Sequence, residues 1–169
     1  FLLPTDESPT VAHLLDLARI QVFRDGIKGV VLDPWNSLDH SRPAHMLPTE
    51  FISHELSLLT RFARQYDVHI WLVAHPTKLM KDKDGQYPVP TAYDIADSSH
   101  FYNKPDNILA LWRNVIKGSP TQVHVQKVKF SEIGHVGMVD LDFDPVTGRY
   151  SDTKSWAYTS NGHQRGARQ

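Results

Sequence analysis

The chain has 169 residues, of which 40% are hydrophobic and 22% are charged, and its formal net charge is −1. This composition is ordinary for a globular domain, and the near-neutral charge excludes a global basic field for nucleic acid. Cysteine is absent, which excludes disulfides and thiolate metal sites. No apolar run approaches the roughly 18 residues of a membrane span. Because the chain begins with Phe1 and shows no signal peptide, we expect a cut or processed N-terminus and a cytoplasmic protein.

The first half of the chain alternates between predicted helices and apolar strands. Helical spacing of apolar residues predicts one helix from Ser8-Pro9 to Gly26 and a second from about Thr49 to Tyr66. Short apolar runs predict strands over residues 1–3, 28–33 and 68–74. This alternation predicts an α/β fold in which helices flank a parallel sheet.

The strand at residues 28–33 ends in a carboxylate, Asp33, which Pro34 follows directly. Its continuous apolar run, Val30–Leu32, is typical of a strand buried on both faces of a parallel sheet. Asp33 would then lie at the carboxyl edge of the sheet, where open α/β sheets bind their ligands. A carboxylate at this place can bind a water of a Mg²⁺ ion beside the phosphates of a nucleotide. The next strand also ends in a polar residue, His75.

The middle of the chain is more polar than the first half and is predicted to contain a long loop. Residues 76–92 are polar and end in prolines, which predicts a long loop that is either functional or disordered. A short irregular helix is predicted around residues 94–103, followed by an apolar strand over residues 108–112. Three tryptophans in or beside the predicted strands, Trp35, Trp71 and Trp112, are expected in or near the core.

The last part of the chain predicts an antiparallel hairpin. Residues 123–130 and 136–143 alternate polar and apolar side chains, which indicates two strands with one face open to water. A turn at residues 145–148 and a short strand beginning at Tyr150 are expected next. Residues 151–169 are rich in polar residues and glycine, which predicts a flexible tail.

Several of these segments, taken in order, resemble one family. They are Val30–Asp33, Leu72–His75, Asp94–His100 running on to Arg113, Gln126–Phe130 and Asp144–Gly148. The ordered set resembles the RecA-like motor domain of DnaB-type replicative helicases, on the branch of the phage primase-helicases and mitochondrial Twinkle. The resemblance covers residues 1–150. It implies a RecA-like parallel sheet core flanked by helices, with a C-terminal antiparallel hairpin.

The resemblance also implies an activity and its partners. The family uses ATP and Mg²⁺ and forms a homo-oligomeric ring, a hexamer or heptamer, that moves 5′→3′ along single-stranded DNA. It works in bacterial or phage-infected cells, and a mitochondrial location is compatible with the Twinkle branch. The glycine-rich lysine loop that cradles phosphates, G-x-x-x-x-G-K-[ST], does not occur in this sequence. We expect that loop and the catalytic glutamate upstream, and we expect this fragment alone to be inactive.

Roles at the ATP site follow from the resemblance. Asp33 corresponds to the Walker B carboxylate that orients the Mg²⁺ shell through water. His75 corresponds to the sensor of the γ-phosphate, and an imidazole can donate to phosphate in either charge state. Arg113 and Phe143 correspond to the pair that sandwiches the adenine ring.

The resemblance further implies that Lys127 and Lys129 reach the ATP site of the neighbouring subunit. They alternate along a predicted strand, so both side chains leave the same face. The family usually has arginine at the position of Lys129. Lysine carries the charge but lacks the bidentate fork, which weakens the expected trans-activation.

Two segments correspond to the loops that line the DNA channel, residues 78–87 and 97–104. Small and basic side chains suit contacts with phosphates that do not depend on base sequence. The side chains expected to contact DNA are Lys78, Lys81, Lys83, Ser98, Ser99, His100 and Lys104.

Two other functions remain open from the sequence. A metal-dependent hydrolase would use Asp33, Asp39, His40 and His75 as a cluster at the strand ends. A degenerate RecA-like module would only assemble or bind DNA, which the missing phosphate loop and Lys129 favour. Each site residue also has a structural explanation, such as turn capping for Asp33.

Overall fold

Residues 8–77, 79–95, 99–114 and 118–152 are described by a computed structural model of the chain. The predicted strand at residues 1–3, most of the predicted tail, and the site residues Lys78 and Ser98 lie outside these ranges. The described chain divides into two units, Phe1–Thr77 with Ile95–Lys104, and Lys78–Asp94 with Pro105–Gln169. No helix in the described ranges is long and apolar enough to cross a membrane.

The first unit contains the two long helices of the described chain. Helix α1 covers Val11–Asp25 and begins at Thr10, whose hydroxyl accepts from the His13 N–H over 3.2 Å. The predicted start at Ser8-Pro9 is therefore wrong by about one half-turn, because a second capping residue follows the first. The predicted end is confirmed: Gly26 has φ 66°, the left-handed conformation that glycine adopts without strain.

Helix α2 covers Pro48–Tyr66, with proline at its first position. The Glu50 carboxylate accepts from the Leu47 N–H over 3.0 Å, which satisfies one donor at the helix start. The helix ends at Asp67, which has φ 50°. The side chains that it buries are Ile52, Glu55, Leu56, Leu59 and Phe62.

Strands β1, Gly29–Leu32, and β2, His69–Leu72, form a parallel pair in the first unit. The prediction that β1 is buried on both faces is wrong. Val31 is 65% exposed and its cross-strand neighbour Trp71 is 51% exposed, whereas Leu32 is buried. Because Val31 and Trp71 are paired and so lie on the same face, this face of the described pair is open to solvent.

The first unit also holds a 3₁₀ turn at Trp35–Ser37 and the short helix α3, His100–Asn103. Of the predicted irregular helix around residues 94–103, the described residues form α3, and a 3₁₀ turn at Ala92–Asp94 of the second unit comes earlier in the sequence. Trp35 and Phe101 are buried, and their rings meet edge-on with centroids 5.5 Å apart.

The second unit is a four-stranded antiparallel sheet in the order of the chain. Its strands are β3, Asn107–Arg113; β4, Thr121–Val128; β5, Gly137–Asp144; and β6, Arg149–Asp152. The predicted hairpin is confirmed as β4 and β5, and it is extended on both sides. Strand β6 runs past residue 150, the predicted end of the motor segment.

Candidate functional site

Two predicted site residues, Asp33 and His75, follow neighbouring strands of the parallel pair. Leu32 of β1 pairs with Leu72 of β2, so the two strands end at the same edge. Asp33 directly follows β1, and His75 lies a little further beyond β2; both residues are exposed. The structure therefore brings the predicted carboxylate and the predicted sensor to one edge.

The segments that follow β1 and β2 are hydrogen-bonded to each other. The Val73 N–H donates to the Leu32 carbonyl oxygen over 2.9 Å, and the Trp35 N–H donates to the Val73 carbonyl oxygen over 2.7 Å. The His75 N–H then donates to Oδ1 of Asn36 over 2.8 Å. The ladder thus continues beyond the last residue of each strand and fixes the backbone on both sides of the site.

The loop after β1 is anchored by Trp35, whose side chain is 3% exposed. Its ring packs against the ring of His40, with centroids 4.7 Å apart, and against Phe101. Nε2 of His40 also lies 3.1 Å from the Trp35 carbonyl oxygen. Because the buried ring holds this turn in place, Asp33 and Asn36 are presented by a supported segment.

The metal-dependent hydrolase requires Asp33, Asp39, His40 and His75 to gather around one ion. Asp39 instead accepts from the Ser41 N–H over 2.8 Å. Hydrogen bonds from Ser41, first from its side chain and then from its N–H, lower the pKa of the Asp39 carboxyl. Within the described ranges, which include all four residues, no group of three or more His, Cys, Asp or Glu could hold a metal ion. The cluster behind this alternative is not formed.

In the second unit, Lys127 and Lys129 both reach the turn that precedes β3. Nζ of Lys127 donates to the Pro105 carbonyl oxygen over 2.8 Å. Nζ of Lys129 lies 2.6 Å from Oδ1 of Asp106, and both side chains of this ion pair remain substantially exposed. The sequence did not indicate Asp106 as a partner of Lys129. A role of the two lysines in a neighbouring subunit stays a prediction.

Arg113 and Phe143, the predicted adenine pair, lie on the same face of the antiparallel sheet. Arg113 pairs across β3 and β4 with Thr121, which pairs in turn with Leu141 of β5. Phe143 lies two positions beyond Leu141 and so points to the same side. Strand spacing puts the Arg113 and Phe143 Cα atoms about 12 Å apart. Their role in binding adenine stays a prediction.

Each member of this pair has a local partner. Nε of Arg113 donates to the Ser119 carbonyl oxygen over 3.2 Å. Phe143 packs against Tyr150 of β6, with ring centroids 5.0 Å apart. Tyr150 is 56% exposed, so a second accessible aromatic ring lies beside Phe143 on this face of the sheet.

The turn after Phe143 is held by the Asp144 carboxylate. Its oxygens accept from the Val146 N–H over 2.9 Å and from the Thr147 hydroxyl over 2.6 Å. The Thr147 hydrogen bond, followed by that of the Val146 N–H, lowers the pKa of Asp144. Gly148 has φ 69° and closes the turn through a 2.8 Å bond from its N–H to the Asp144 carbonyl oxygen.

The predicted DNA loop at residues 78–87 contains an ordered turn. Oδ1 of Asp82 accepts from the N–H groups of Asp84 and Gln86, at 2.9 and 2.8 Å. Nζ of Lys81 stands 5.1 Å from the centre of the Tyr87 ring, and Lys83 is exposed. Lys78 lies outside the described residues.

The described residues of the second predicted DNA segment differ in exposure, some being open to solvent and others half-buried in their unit. Ser99 is exposed at the start of α3, where its carbonyl oxygen accepts from the Tyr102 N–H over 3.1 Å. His100, the first residue of α3, is half-buried. Lys104 is also half-buried, and its Nζ donates to the Ser57 hydroxyl of α2 over 2.8 Å. Lys104 thus joins α3 to α2, and its predicted DNA contact would require this bond to open.

The fold matches those of solved helicase ATPase domains. No family model matches the chain. A solved ATPase domain and a DnaB-like replicative helicase, described with its interactions with primase, each match at TM-score 0.69 and 20% identity. Each match covers 87% of this chain, with 52% and 36% of the two solved chains. The fold class predicted from the sequence is confirmed: the chain has the RecA-like fold of DnaB-type ATPase domains.

The chain is also similar in sequence to a Twinkle homolog. Over 152 residues the chain is 38% identical to the Twinkle homolog protein, chloroplastic/mitochondrial, of Arabidopsis thaliana. The match covers 88% of this chain and 21% of the relative, so the chain spans about a fifth of that protein's length. The resemblance seen in the sequence is confirmed: the chain is similar in sequence to this Twinkle homolog and similar in fold to DnaB-like helicase ATPase domains.

Proposed function

We propose that the chain is part of the motor of an ATP-driven 5′→3′ replicative DNA helicase that assembles as a hexameric or heptameric ring. The observation that carries the proposal is the shared edge at which β1 presents Asp33 and β2 presents His75. Hydrogen bonds between the two following segments hold both residues in place. The likeness to the Twinkle homolog supports the class of enzyme.

Asp33 would orient Mg²⁺ through water. An exposed carboxylate supplies the hard oxygen donor that the hydrated Mg²⁺ ion prefers, so the residue fits the ion. When bound, Mg²⁺ would neutralise charge on the phosphates of ATP. His75 would donate a hydrogen bond to the terminal phosphate, and its exposed position at the edge leaves it accessible.

The second unit would supply groups for ATP held at a subunit interface. Arg113 and Phe143 share a sheet face and would enclose the adenine ring. Lys127 and Lys129 would extend to the phosphates bound by the next subunit, after exchanging their present partners for the ligand. The Lys129 ion pair is exposed and therefore contributes little stability that the exchange would lose.

Single-stranded DNA would run along the two loop segments. Lys81 and Lys83 in the first, and Ser99 and His100 in the second, would contact phosphates, with Lys78, Ser98 and Lys104 as further candidates. Hydrolysis would move these segments stepwise along the strand.

The test is DNA-stimulated ATP hydrolysis by the intact natural protein that carries this chain. Asp33→Asn and His75→Ala should each lower kcat by about 100-fold or more, since both groups would act on the reacting phosphates. Matched controls are Asp142→Asn and His45→Ala, which change exposed residues of the same two types to which the proposal gives no role. ATPase activity that is unchanged in Asp33→Asn would contradict the proposal.

A non-catalytic RecA-like module is the second candidate. It is favoured by Lys129, which replaces the family's usual arginine and is already paired with Asp106. In that case the intact protein would bind single-stranded DNA and assemble, and DNA would not stimulate hydrolysis of ATP. The same ATPase measurement therefore separates the two candidates.

A further inference from the structure

The backbone N–H of His75 is held by the side chain of Asn36. Asn36 lies in the 3₁₀ turn Trp35–Ser37, and its Oδ1 accepts the His75 N–H over 2.8 Å. The two residues are 39 positions apart in sequence. The bond therefore connects the turn after β1 with the segment after β2.

This bond differs in kind from the two that precede it in the ladder. The bonds of Val73 to Leu32 and to Trp35 join backbone groups, and any residue except proline at the donor positions would permit them. The third bond depends on a side-chain acceptor at position 36. The residue type at this position therefore decides whether the backbone of His75 is fixed or released to solvent.

We infer that Asn36 is a positioning residue for His75. By holding the His75 N–H, it fixes the direction of the Cα–Cβ bond and so restricts where the exposed imidazole stands at the edge that Asp33 shares. The inference rests on the proposed function, because it assigns Asn36 a role through the His75 sensor.

The chemistry of asparagine suits this task. Its amide oxygen is a neutral acceptor on a short side chain, so it satisfies the N–H without adding charge beside Asp33. Aspartate would keep the acceptor and add a negative charge. Alanine would remove the acceptor and leave the His75 N–H to water. Asn36→Ala therefore tests the loss of the hydrogen bond, whereas Asn36→Asp tests a change of residue that keeps the bond.

The first experiment measures DNA-stimulated ATP hydrolysis by the intact protein with Asn36→Ala, Asn36→Asp and the matched control Ser37→Ala. Ser37 is the exposed neighbour in the same turn. Asn36→Ala should lower kcat by roughly 10- to 100-fold, the range that misplacing a reacting group by about 1 Å can cause, with KM nearly unchanged. Asn36→Asp should retain more of kcat than Asn36→Ala, and Ser37→Ala should match the wild type.

A double-mutant cycle tests whether Asn36 acts through His75. In a His75→Ala background, Asn36→Ala should cause no further loss, because the group it positions is gone. A loss that adds in full to that of His75→Ala would overturn the inference, since it would indicate a general structural effect. The inference would also be overturned if the kcat of Asn36→Ala equalled that of Ser37→Ala.

Amide hydrogen exchange of His75 provides a readout that does not depend on ATP hydrolysis. The His75 N–H should be protected in the wild type and in Asn36→Asp, and should exchange at least about 10-fold faster in Asn36→Ala. Equal exchange in all three would overturn the inference while leaving the proposed function intact. Wild-type ATPase activity in His75→Ala would instead remove the sensor role, and the inference would fall with it.

Discussion

The Lys129 ammonium lies 2.6 Å from the Asp106 carboxylate, within the same unit and next to the start of β3. The pair is exposed, with 39% and 45% of the two side chains accessible. Exposed ion pairs typically contribute below about 1 kcal/mol, because water and salt screen them. The contact therefore orients the lysine but adds little stability that would be lost if it broke. Substitutions of Lys129 and Asp106 should then differ in their effects on ATPase activity.

We predict that Asp106→Asn changes the free energy of unfolding of the chain by less than about 1 kcal/mol and largely preserves ATPase activity of the intact protein. Lys129→Ala should have an equally small effect on stability and should lower kcat by more than about 10-fold, because it would remove a charge from the neighbouring ATP site. Urea unfolding and steady-state ATPase assays measure the two effects.

The exposed pair formed by Lys28 and Asp67, with its 3.3 Å separation, is the control for this prediction. Lys28→Ala should resemble Lys129→Ala in stability but leave kcat unchanged. If Asp106→Asn and Lys129→Ala lowered kcat equally, the lysine would act only through its partner in the same chain.

Trp35 should dominate the stability of the first unit. Because its ring is nearly fully buried against His40 and Phe101, Trp35→Ala should lower the free energy of unfolding by about 3–5 kcal/mol. Trp35→Phe should retain part of the packing and stay folded if alanine does not. The measurement is urea unfolding followed by circular dichroism.

Trp71→Ala is the matched control, since this tryptophan is 51% exposed. Trp71→Ala should lower the free energy of unfolding clearly less than Trp35→Ala does. Equal losses would mean that the second face of the β1–β2 pair is covered in solution.

The order of elements around the site could be predicted from the sequence, because apolar runs and helical spacing are local patterns. Asp33 and His75 were singled out in this way, as polar residues that end apolar strands, and their roles stay predictions. Asn36 and Asp106 could not be found, since each acts on a residue far along the chain and the sequence does not give the course of the intervening loops. The burial of Trp71 was also predicted wrongly, because a hydrophobic strand pattern does not show which of its faces is covered.

The turn after β5 should weaken in acid. Hydrogen bonds from Thr147 and Val146 lower the pKa of Asp144 in the folded chain. A carboxyl whose folded pKa is depressed contributes stability above its unfolded pKa, about 3.9, and loses it as the pH falls through the lower folded value. Thr147→Val removes the main hydrogen bond, so the pKa of Asp144 should rise toward its ordinary value.

Carbon-detected NMR titration of the Asp144 carboxyl measures this shift. Asp39, whose pKa is lowered by Ser41, is the internal control and should titrate identically in the wild type and in Thr147→Val. A pKa of Asp144 that is unchanged by Thr147→Val would show that the hydroxyl does not hold the carboxylate in solution.

The basic residues of the predicted DNA segments should contribute unequally to DNA binding. Lys83 is exposed, whereas Nζ of Lys104 is bonded to Ser57 inside its unit. Lys83→Ala in the intact protein should therefore weaken binding of single-stranded DNA and reduce the slope of log K against log salt by about 0.7, the value for one phosphate contact. Lys104→Ala should change the slope less. Fluorescence anisotropy at several salt concentrations measures both slopes.

The matched control for this comparison is Lys28→Ala, an exposed lysine of the first unit outside both predicted DNA segments. Its salt slope should equal that of the wild type, because it removes a positive charge without removing a phosphate contact. A slope that falls equally in Lys28→Ala and Lys83→Ala would indicate only the loss of general charge. A larger change for Lys104→Ala than for Lys83→Ala would mean that the bond to Ser57 opens when DNA binds, which would make α3 rather than the 78–87 loop the principal contact.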